Sequence, residues 1–256
     1  MIELNKNGRV LELTFNRPPA NAYTLEFMQT LAQKLDAIDA EQEASVVLLT
    51  SASDKFFCAG ADIKAFAKNT TEQNHQLVAR ARANTAQMEA SDKLFIACIG
   101  GHVLGGGLEL AMACDLRFAA HGGYLWGLPE IKLGLIPGNG GSQRLARLVG
   151  MSKALELLAT GDSFSTQEAF EFGLVSRLMD ADELLPQARE YAQRVAKGPA
   201  LALAATKHAV RGGVQMSLED GLALEKKLCD TLYDTEDAAE GFNAFIEKRD
   251  AIFTGR

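Results

Sequence analysis

The chain has 256 residues, of which 47% are hydrophobic and 23% charged, and its formal net charge is −7. This length and composition are typical of one globular domain, or of one domain with a small appendage. The net negative charge argues against broad electrostatic attraction to nucleic acid or to an anionic membrane surface. Because the N-terminus lacks a signal-peptide pattern and no apolar run is long enough to cross a bilayer, we expect a cytoplasmic protein.

The four cysteines carry no pairing pattern. Cys58, Cys98, Cys114 and Cys229 include no C-x-x-C spacing, and the four histidines form no recognised metal-binding motif. We therefore predict reduced thiols in a reducing compartment, and no metal site.

Strands and helices alternate in the first half of the chain. Residues 2–5 and 10–15 read as a hairpin with its turn at Lys6-Asn7-Gly8, because Asn-Gly is a strong hairpin signal. A helix capped by Thr24 is predicted to reach about Ala40, and the apolar run 46–50 reads as a buried strand. A helix over 72–90 and a strand over 94–99 follow. This alternation predicts an α/β core.

The second half is predicted to be mainly helical. A short helix ends near Cys114, a strand covers 115–119, and Ser165 to Glu168 match a capping box. Three further helices are predicted over 201–211, 218–233 and 238–248. We divide the chain into a core, residues 1–195, and a helical C-terminal region, residues 196–256.

Three consecutive glycines, Gly105 to Gly107, stand before the short helix. Their spacing fits neither the dinucleotide fingerprint nor the P-loop, and the loop 134–142 also fails the P-loop pattern. Glycines at a helix N-terminus let backbone N–H groups approach an anion or a developing oxyanion. When the glycines are considered alone, close packing of the helix on the sheet is the favoured explanation.

Glu109 favours the functional interpretation of this segment. Every other residue from Leu108 to Cys114 is apolar, so the helix is predicted to be buried on most sides. A buried carboxylate costs several kcal/mol unless it is paired or hydrated. A partner for the helix dipole is the structural alternative, but such residues are usually exposed. Glu109 is therefore our main candidate for a catalytic group.

A second carboxylate and a second loop join the candidate site. Glu130 follows Pro129, where the chain is predicted to leave the sheet. Two carboxylates that face one pocket can divide the roles of acid and base, because their surroundings separate their pKa values. The loop from Cys58 to Lys64 offers another close backbone approach, with Asp62 as a possible helix cap.

These segments resemble the enoyl-CoA hydratase/isomerase (crotonase) superfamily. The resemblance rests on ordered motifs along nearly the whole chain, at residues 57–64, 100–111, 127–130, 133–138, 141–145, 160–162 and 245–249. It implies a spiral of β-β-α units followed by a helical C-terminal region that forms homotrimers, often paired as hexamers. It also implies an acyl-CoA thioester as substrate and partner, with no metal or redox cofactor.

The resemblance also implies roles for individual residues. The backbone N–H groups of Ala61 and Gly106 would hold a thioester enolate. Hydratases in this family have both glutamates, so hydration of a trans-2-enoyl-CoA is favoured. Glu130 would protonate the α-carbon and Glu109 would accept a proton from the attacking water. A Δ3,Δ2-enoyl-CoA isomerase and a specialised hydratase remain alternatives, as does a non-catalytic RNA-binding protein on the same fold.

Contacts to coenzyme A and to the acyl group are implied more loosely. The backbone around Ala59, Ala61 and Ile63 would hold the adenine and pantetheine. Other implied contacts are Asp62, Lys64, Gly105 and Lys248, the last from a neighbouring subunit. A solvated surface charge explains Lys248 equally well. Trp126 and Asn139 depart from the usual family pattern and are predicted to shape the acyl end of the pocket.

Overall fold

The strands form two sheets, and the middle part of the chain adds strands to each sheet in turn. The computed structural model describes residues 1–256. The larger sheet has the spatial order β1 (Ile2–Asn7), β2 (Val10–Phe15), β3 (Val46–Ser51), β5 (Leu94–Ile99), β7 (Leu116–Ala120) and β10 (Arg177–Met179). The smaller sheet has the order β4 (Phe56–Cys58), β6 (His102–Leu104), β8 (Leu125–Gly127) and β9 (Phe164–Ser165).

The helices connect these strands and then form the C-terminal end. They are α1 (Leu25–Ala40), α2 (Ile63–Phe66), α3 (Thr71–Ala90), α4 (Gly106–Ala113), α5 (Gly141–Val149), α6 (Met151–Thr160), α7 (Thr166–Glu171), α8 (Leu184–Ala196), α9 (Ala200–Gly213), α10 (Leu218–Asp230) and α11 (Glu236–Glu247). A 3-10 helix, Pro129–Leu133, follows β8. No helix has both the length and the apolar character that spanning a membrane requires.

The chain winds as a spiral of β-β-α units. In successive turns, β3, β5 and β7 enter the larger sheet and β4, β6 and β8 enter the smaller one, before helices return the chain. Neighbouring turns pair in parallel, β3 with β5 and β5 with β7. Strands buried on both faces suit the continuous apolar runs of β3 and β5. The predicted α/β crotonase-like spiral is therefore confirmed.

Each face of the larger sheet packs against helices. One face contributes to a core of 37 buried residues, which includes Phe15, Phe27 and Phe95 together with α4. The other face packs on the alanine side of α8, through Ala188, Ala192 and Ala196. All eight residues of α4 are buried, so a polar side chain on that helix lies among apolar neighbours.

Local sequence signals located the starts of three helices. Thr24 caps α1, Asp62 caps α2, and Ser165 forms the predicted capping box with Glu168. The predicted turn at Lys6-Asn7-Gly8 was wrong. Asn7 pairs with Val10, so the turn consists of Gly8 and Arg9. Gly8 has φ +59°, which a residue without Cβ adopts readily.

Helices α9 to α11 occupy the region 196–256 and expose many apolar side chains. The most exposed large ones include Val214, Leu218, Phe245, Ile246 and Ile252. An apolar surface of this kind on a water-exposed helical region is typical of a contact with another protein surface.

Candidate active site

A cavity of about 1050 Å³ lies where three turns of the spiral meet. It is lined by Ala59 and Ala61 from the loop after β4, by Gly105, Gly106 and Glu109 from the start of α4, and by Glu130 from the 3-10 helix. Side chains from α3 and from the loop 133–139 close the remaining walls. Residues widely separated in sequence therefore face one cavity.

The loop after β4 presents a free backbone donor. Tyr23 N–H donates to Gly60 O at 2.8 Å, and Asp62 N–H donates to Tyr23 O at 2.9 Å. Ala61 lies between these two bonded residues, and its own N–H makes no hydrogen bond within the protein. Gly60 has φ +85°, and a Cβ there would lie 2.9 Å from Gly106 N. Glycine at this position thus lets the two loops touch.

The start of α4 presents a second donor. Gly106 is the first residue of the helix, so its N–H has no acceptor within the helix. A Cβ at Gly107 would overlap the Cys58 carbonyl oxygen, which shows how closely α4 approaches the preceding loop. The packing role and the functional role of the glycine run are therefore both present. Gly107 permits close packing of α4, and Gly106 lines the cavity with its backbone.

Glu109 lies on α4 with only 2% of its surface exposed. Its Oε1 accepts two backbone hydrogen bonds, from Asn139 N at 2.8 Å and from Gly141 N at 2.7 Å. Its Oε2 has no hydrogen-bond partner in the protein. Burial raises the pKa of Glu109 to about 7, although the two N–H donors favour the ionised form. One carboxylate oxygen is thus anchored and the other is available.

Glu130 lines the same cavity but has a different environment. It is half-buried in the first turn of the 3-10 helix, and its Oε2 is buried without a hydrogen-bond partner. Its Oε1 lies near Gly105, where a Cβ would come within 3.1 Å. Burial raises the pKa of Glu130, and only its own backbone N–H opposes that shift. An unpartnered carboxyl of this kind favours its protonated form.

The combination suits proton transfer beside a developing negative charge. Two backbone N–H groups and two carboxyl groups with raised pKa values meet in a mainly apolar cavity, which strengthens electrostatic interactions. No group of three or more His, Cys, Asp or Glu side chains is placed to hold one metal ion.

The structure brings most of the predicted site residues to this cavity. Ala59, Ala61, Ile63, Gly105, Gly106, Glu109 and Glu130 line it, as does Asn139. The Asp62 side chain instead caps α2 and contacts Arg17. Lys64 is exposed on α2, and Lys248 is exposed just after α11. Whether these two lysines contact coenzyme A stays a prediction.

Trp126 requires a correction. It does not line the cavity, is fully buried, and its Nε1 donates to Thr166 Oγ1 at 3.0 Å. The short strand β8 directs this side chain towards α7, because alternate residues of a strand point to opposite sides. Trp126 therefore packs in the core against the start of α7, and it does not form a wall of this cavity.

Two contributors to the site were not identified from the sequence. The loop Gly138 to Gly141 failed the phosphate-binding pattern, but its backbone anchors Glu109. A cluster of glycines before a helix was the available signal, because such loops offer free N–H groups to any carboxylate. Tyr23 also lines the cavity, and its position just before a helix cap carried no functional signal.

Comparisons with known proteins agree with the fold and with these motifs. A sequence profile described as enoyl-CoA hydratase/isomerase matches residues 5–256. The chain is 36% identical to the short-chain-enoyl-CoA hydratase of Clostridium acetobutylicum, over 96% of this chain and 94% of that protein. It is 39% identical to the 2,3-dehydroadipyl-CoA hydratase of Escherichia coli strain K12, over 99% and 98% of the two chains.

A solved structure extends the similarity to three dimensions. The crystal structure of an enoyl-CoA hydratase from Bacillus anthracis superposes with a TM-score of 0.96 at 38% identity, covering 100% of this chain and 99% of that one. Sequence and fold therefore match over the whole length, and the resemblance drawn from the motifs is confirmed. The chain belongs to the enoyl-CoA hydratase/isomerase family.

Proposed function

We propose that the protein is an enoyl-CoA hydratase, which adds water reversibly to a trans-2-enoyl-CoA to give a 3-hydroxyacyl-CoA. Its family acts on acyl-CoA thioesters. The observation that carries the proposal is the pair Glu109 and Glu130 in one cavity, with opposite hydrogen-bonding environments. A reaction that takes one proton from water and delivers one to carbon needs such a pair.

The two free backbone donors suit the intermediate of this reaction. When a hydroxide equivalent adds to the β-carbon, the electrons of the double bond move through the α-carbon onto the thioester oxygen. The N–H groups of Ala61 and Gly106 would donate to that enolate oxygen. Removing one such donor typically costs ~10²–10³ in rate, because the donors are fixed before charge develops.

The carboxyl groups complete the proton balance. Glu109, whose Oε1 is anchored by two N–H groups, would take a proton from the attacking water through its free Oε2. Glu130, which lacks such donors, would carry a proton and deliver it to the α-carbon. In dehydration both transfers run backwards. No redox cofactor is needed, because the addition of water leaves the overall oxidation level of the substrate unchanged, and the two N–H donors would hold the enolate charge without a metal ion.

The residues that line the cavity indicate which kinds of acyl group it would hold. Apolar side chains that line it include Phe66, Leu77, Val78, Leu135 and Ile136, so an alkyl chain would be desolvated against them. Similar proteins are described as short-chain, crotonyl- and 2,3-dehydroadipyl-CoA hydratases, so the family accommodates both apolar and charged acyl ends.

Crotonyl-CoA provides the direct test. Hydration removes the conjugated double bond, so the ultraviolet band of the enoyl thioester should disappear when enzyme is added. The Glu109→Gln variant is the matched control, because it keeps the size and Oε1 contacts of the side chain but cannot accept a proton from water. Persistence of the band in the presence of wild type, together with conversion of a 3-enoyl-CoA to the conjugated form, would assign the isomerase reaction instead.

We also propose that the protein is cytoplasmic and assembles as a homotrimer or a dimer of trimers. The exposed apolar side chains of α9 to α11 support assembly, since monomeric proteins rarely leave such a surface in water. Light scattering after gel filtration gives the mass directly. A monomer at micromolar concentration would contradict this proposal.

A further inference from the structure

Tyr23 connects the two loops that carry the proposed oxyanion donors. Its backbone brackets Ala61, through the bonds from Tyr23 N to Gly60 O and from Asp62 N to Tyr23 O. Its side chain reaches across to α4, where a Cβ at Gly106 would coincide with Tyr23 Oη. Tyr23 therefore contacts the residues on either side of Ala61 as well as Gly106.

The hydroxyl of Tyr23 has no acceptor in the protein. Tyr23 is only 5% exposed, lines the cavity, and makes no side-chain hydrogen bond to another residue. Its Oη is nevertheless not among the fully buried unpartnered polar atoms, so it is open to the cavity. Buried phenol groups usually find a partner, and Tyr23 lines the cavity that a substrate would enter.

The surroundings keep this hydroxyl a donor. Burial raises the pKa of Tyr23 well above its ordinary value, and the nearby carboxyl groups of Glu109 and Glu130 and the Cys58 thiol act in the same direction. The Cys58 thiol is itself held protonated, because burial raises its pKa to about 12. A neutral phenol can stabilise negative charge on a ligand by donating to it.

From this geometry we infer that Tyr23 Oη is a third hydrogen-bond donor to the thioester oxygen, beside the N–H groups of Ala61 and Gly106. The inference deepens the proposed function and rests on the enolate that function requires. Its hydroxyl lies against the Cα of Gly106, so it approaches the enolate oxygen from the side of α4. Tyr23 is therefore a catalytic residue of this chain in addition to the two glutamates.

Acetoacetyl-CoA is a suitable probe, because it loses its C2 proton to form an enolate whose charge lies partly on the thioester oxygen. The enolate absorbs in the ultraviolet, so titration of the bound ligand reports its pKa without any hydration step. Wild type should lower that ligand pKa below its value in solution. Tyr23→Phe, which removes only the hydroxyl, should raise it again by about one unit, equivalent to a tenfold loss of enolate stabilisation.

Two comparisons make the test specific. Tyr191→Phe is the matched control, because Tyr191 packs against Phe118 on the opposite face of the larger sheet and does not line the cavity. Butyryl-CoA, which forms no enolate under these conditions, should bind both variants within about twofold of wild type. With crotonyl-CoA, Tyr23→Phe should lower kcat about tenfold and leave KM nearly unchanged.

The outcomes separate this inference from the proposed function. An unchanged pKa of bound acetoacetyl-CoA in Tyr23→Phe overturns the role of Tyr23 and leaves the hydratase proposal intact. A shifted ligand pKa in an enzyme that isomerises but does not hydrate supports Tyr23 and rejects the hydratase. If wild type itself does not stabilise the enolate, both the oxyanion site and the role of Tyr23 are rejected.

Discussion

Gly141 N–H donates to Glu109 Oε1 over 2.7 Å, and a Cβ at Gly141 would lie only 2.9 Å from the same oxygen. The glycine therefore supplies a hydrogen bond and also the space that the carboxylate occupies. Any residue except proline would have this N–H, but only glycine, at the first position of α5, leaves room for the carboxylate to approach it so closely.

We expect Gly141→Ala to displace the Glu109 carboxylate and to lower kcat for hydration by about 10–100-fold, because reacting groups must be held within a fraction of an ångström. Steady-state kinetics with crotonyl-CoA measure the effect. Gly123→Ala is the matched control, since a Cβ there would meet no atom within 4 Å. Equal kcat values for the two variants would show that the anchor is dispensable.

The pKa of Glu109 predicts the acid side of the pH profile. Burial raises this pKa to about 7, and Glu109 must be ionised to take a proton from water. We therefore expect kcat/KM to fall about tenfold per pH unit as the pH drops below about 7. A profile that stays flat down to pH values near ~5, close to the ordinary glutamate range, would exclude Glu109 as the base.

The ionised Glu109 side chain should also lower the free energy of unfolding at neutral and alkaline pH. Its folded-state pKa of about 7 exceeds the ordinary value of 4.5, so the folded protein retains a proton that the unfolded chain releases, and stability falls as pH rises between these values. At pH ~8 we expect Glu109→Gln to raise the free energy of unfolding, on the order of 1–3 kcal/mol.

Chemical denaturation at pH ~8 and at pH ~5.5 tests this effect, which should be smaller at the lower pH because the Glu109 carboxyl is then mostly protonated. The exposed Glu190→Gln is the control. A Glu109→Gln variant that is less stable than wild type at both pH values would show that the buried Glu109 charge does not destabilise the folded protein.

Glu130→Gln should abolish protonation of the α-carbon while leaving the cavity intact. We expect kcat to fall by at least ~10², with the affinity for butyryl-CoA within about threefold of wild type. Calorimetry measures that affinity independently of turnover. Near-wild-type turnover in this variant would remove Glu130 from the mechanism.

The sequence predicted those site residues whose environment is set by their neighbours in the chain. Glu109 was identified because its neighbours on α4 are all apolar, and that burial is what the structure shows. Gly106 and Ala61 came from the family motifs. Relationships across turns of the spiral were not predictable from local pattern. The anchoring of Glu109 by residues 139 and 141, and the reach of Tyr23 to Gly106, depend on how separate turns dock.

Trp126 illustrates the reverse error. Its departure from the usual family pattern suggested a wall of the acyl pocket, but a strand of three residues does not reveal in sequence which side faces the cavity. The predicted hairpin turn was also misplaced. Asn7 continues the ladder of β1 by one more pair, and the glycine after it makes the bend.

The spiral also determines when the site can exist during folding. Ala61 belongs to one turn, Gly106 and Glu109 to the next, and Glu130 to a third. Contacts this far apart in sequence form late, because each requires earlier loops to have closed. A chain with any one of these turns undocked would keep most of its secondary structure yet lack a complete set of proton donors and acceptors. Enzymatic turnover therefore reports complete assembly of the spiral, which circular dichroism alone does not.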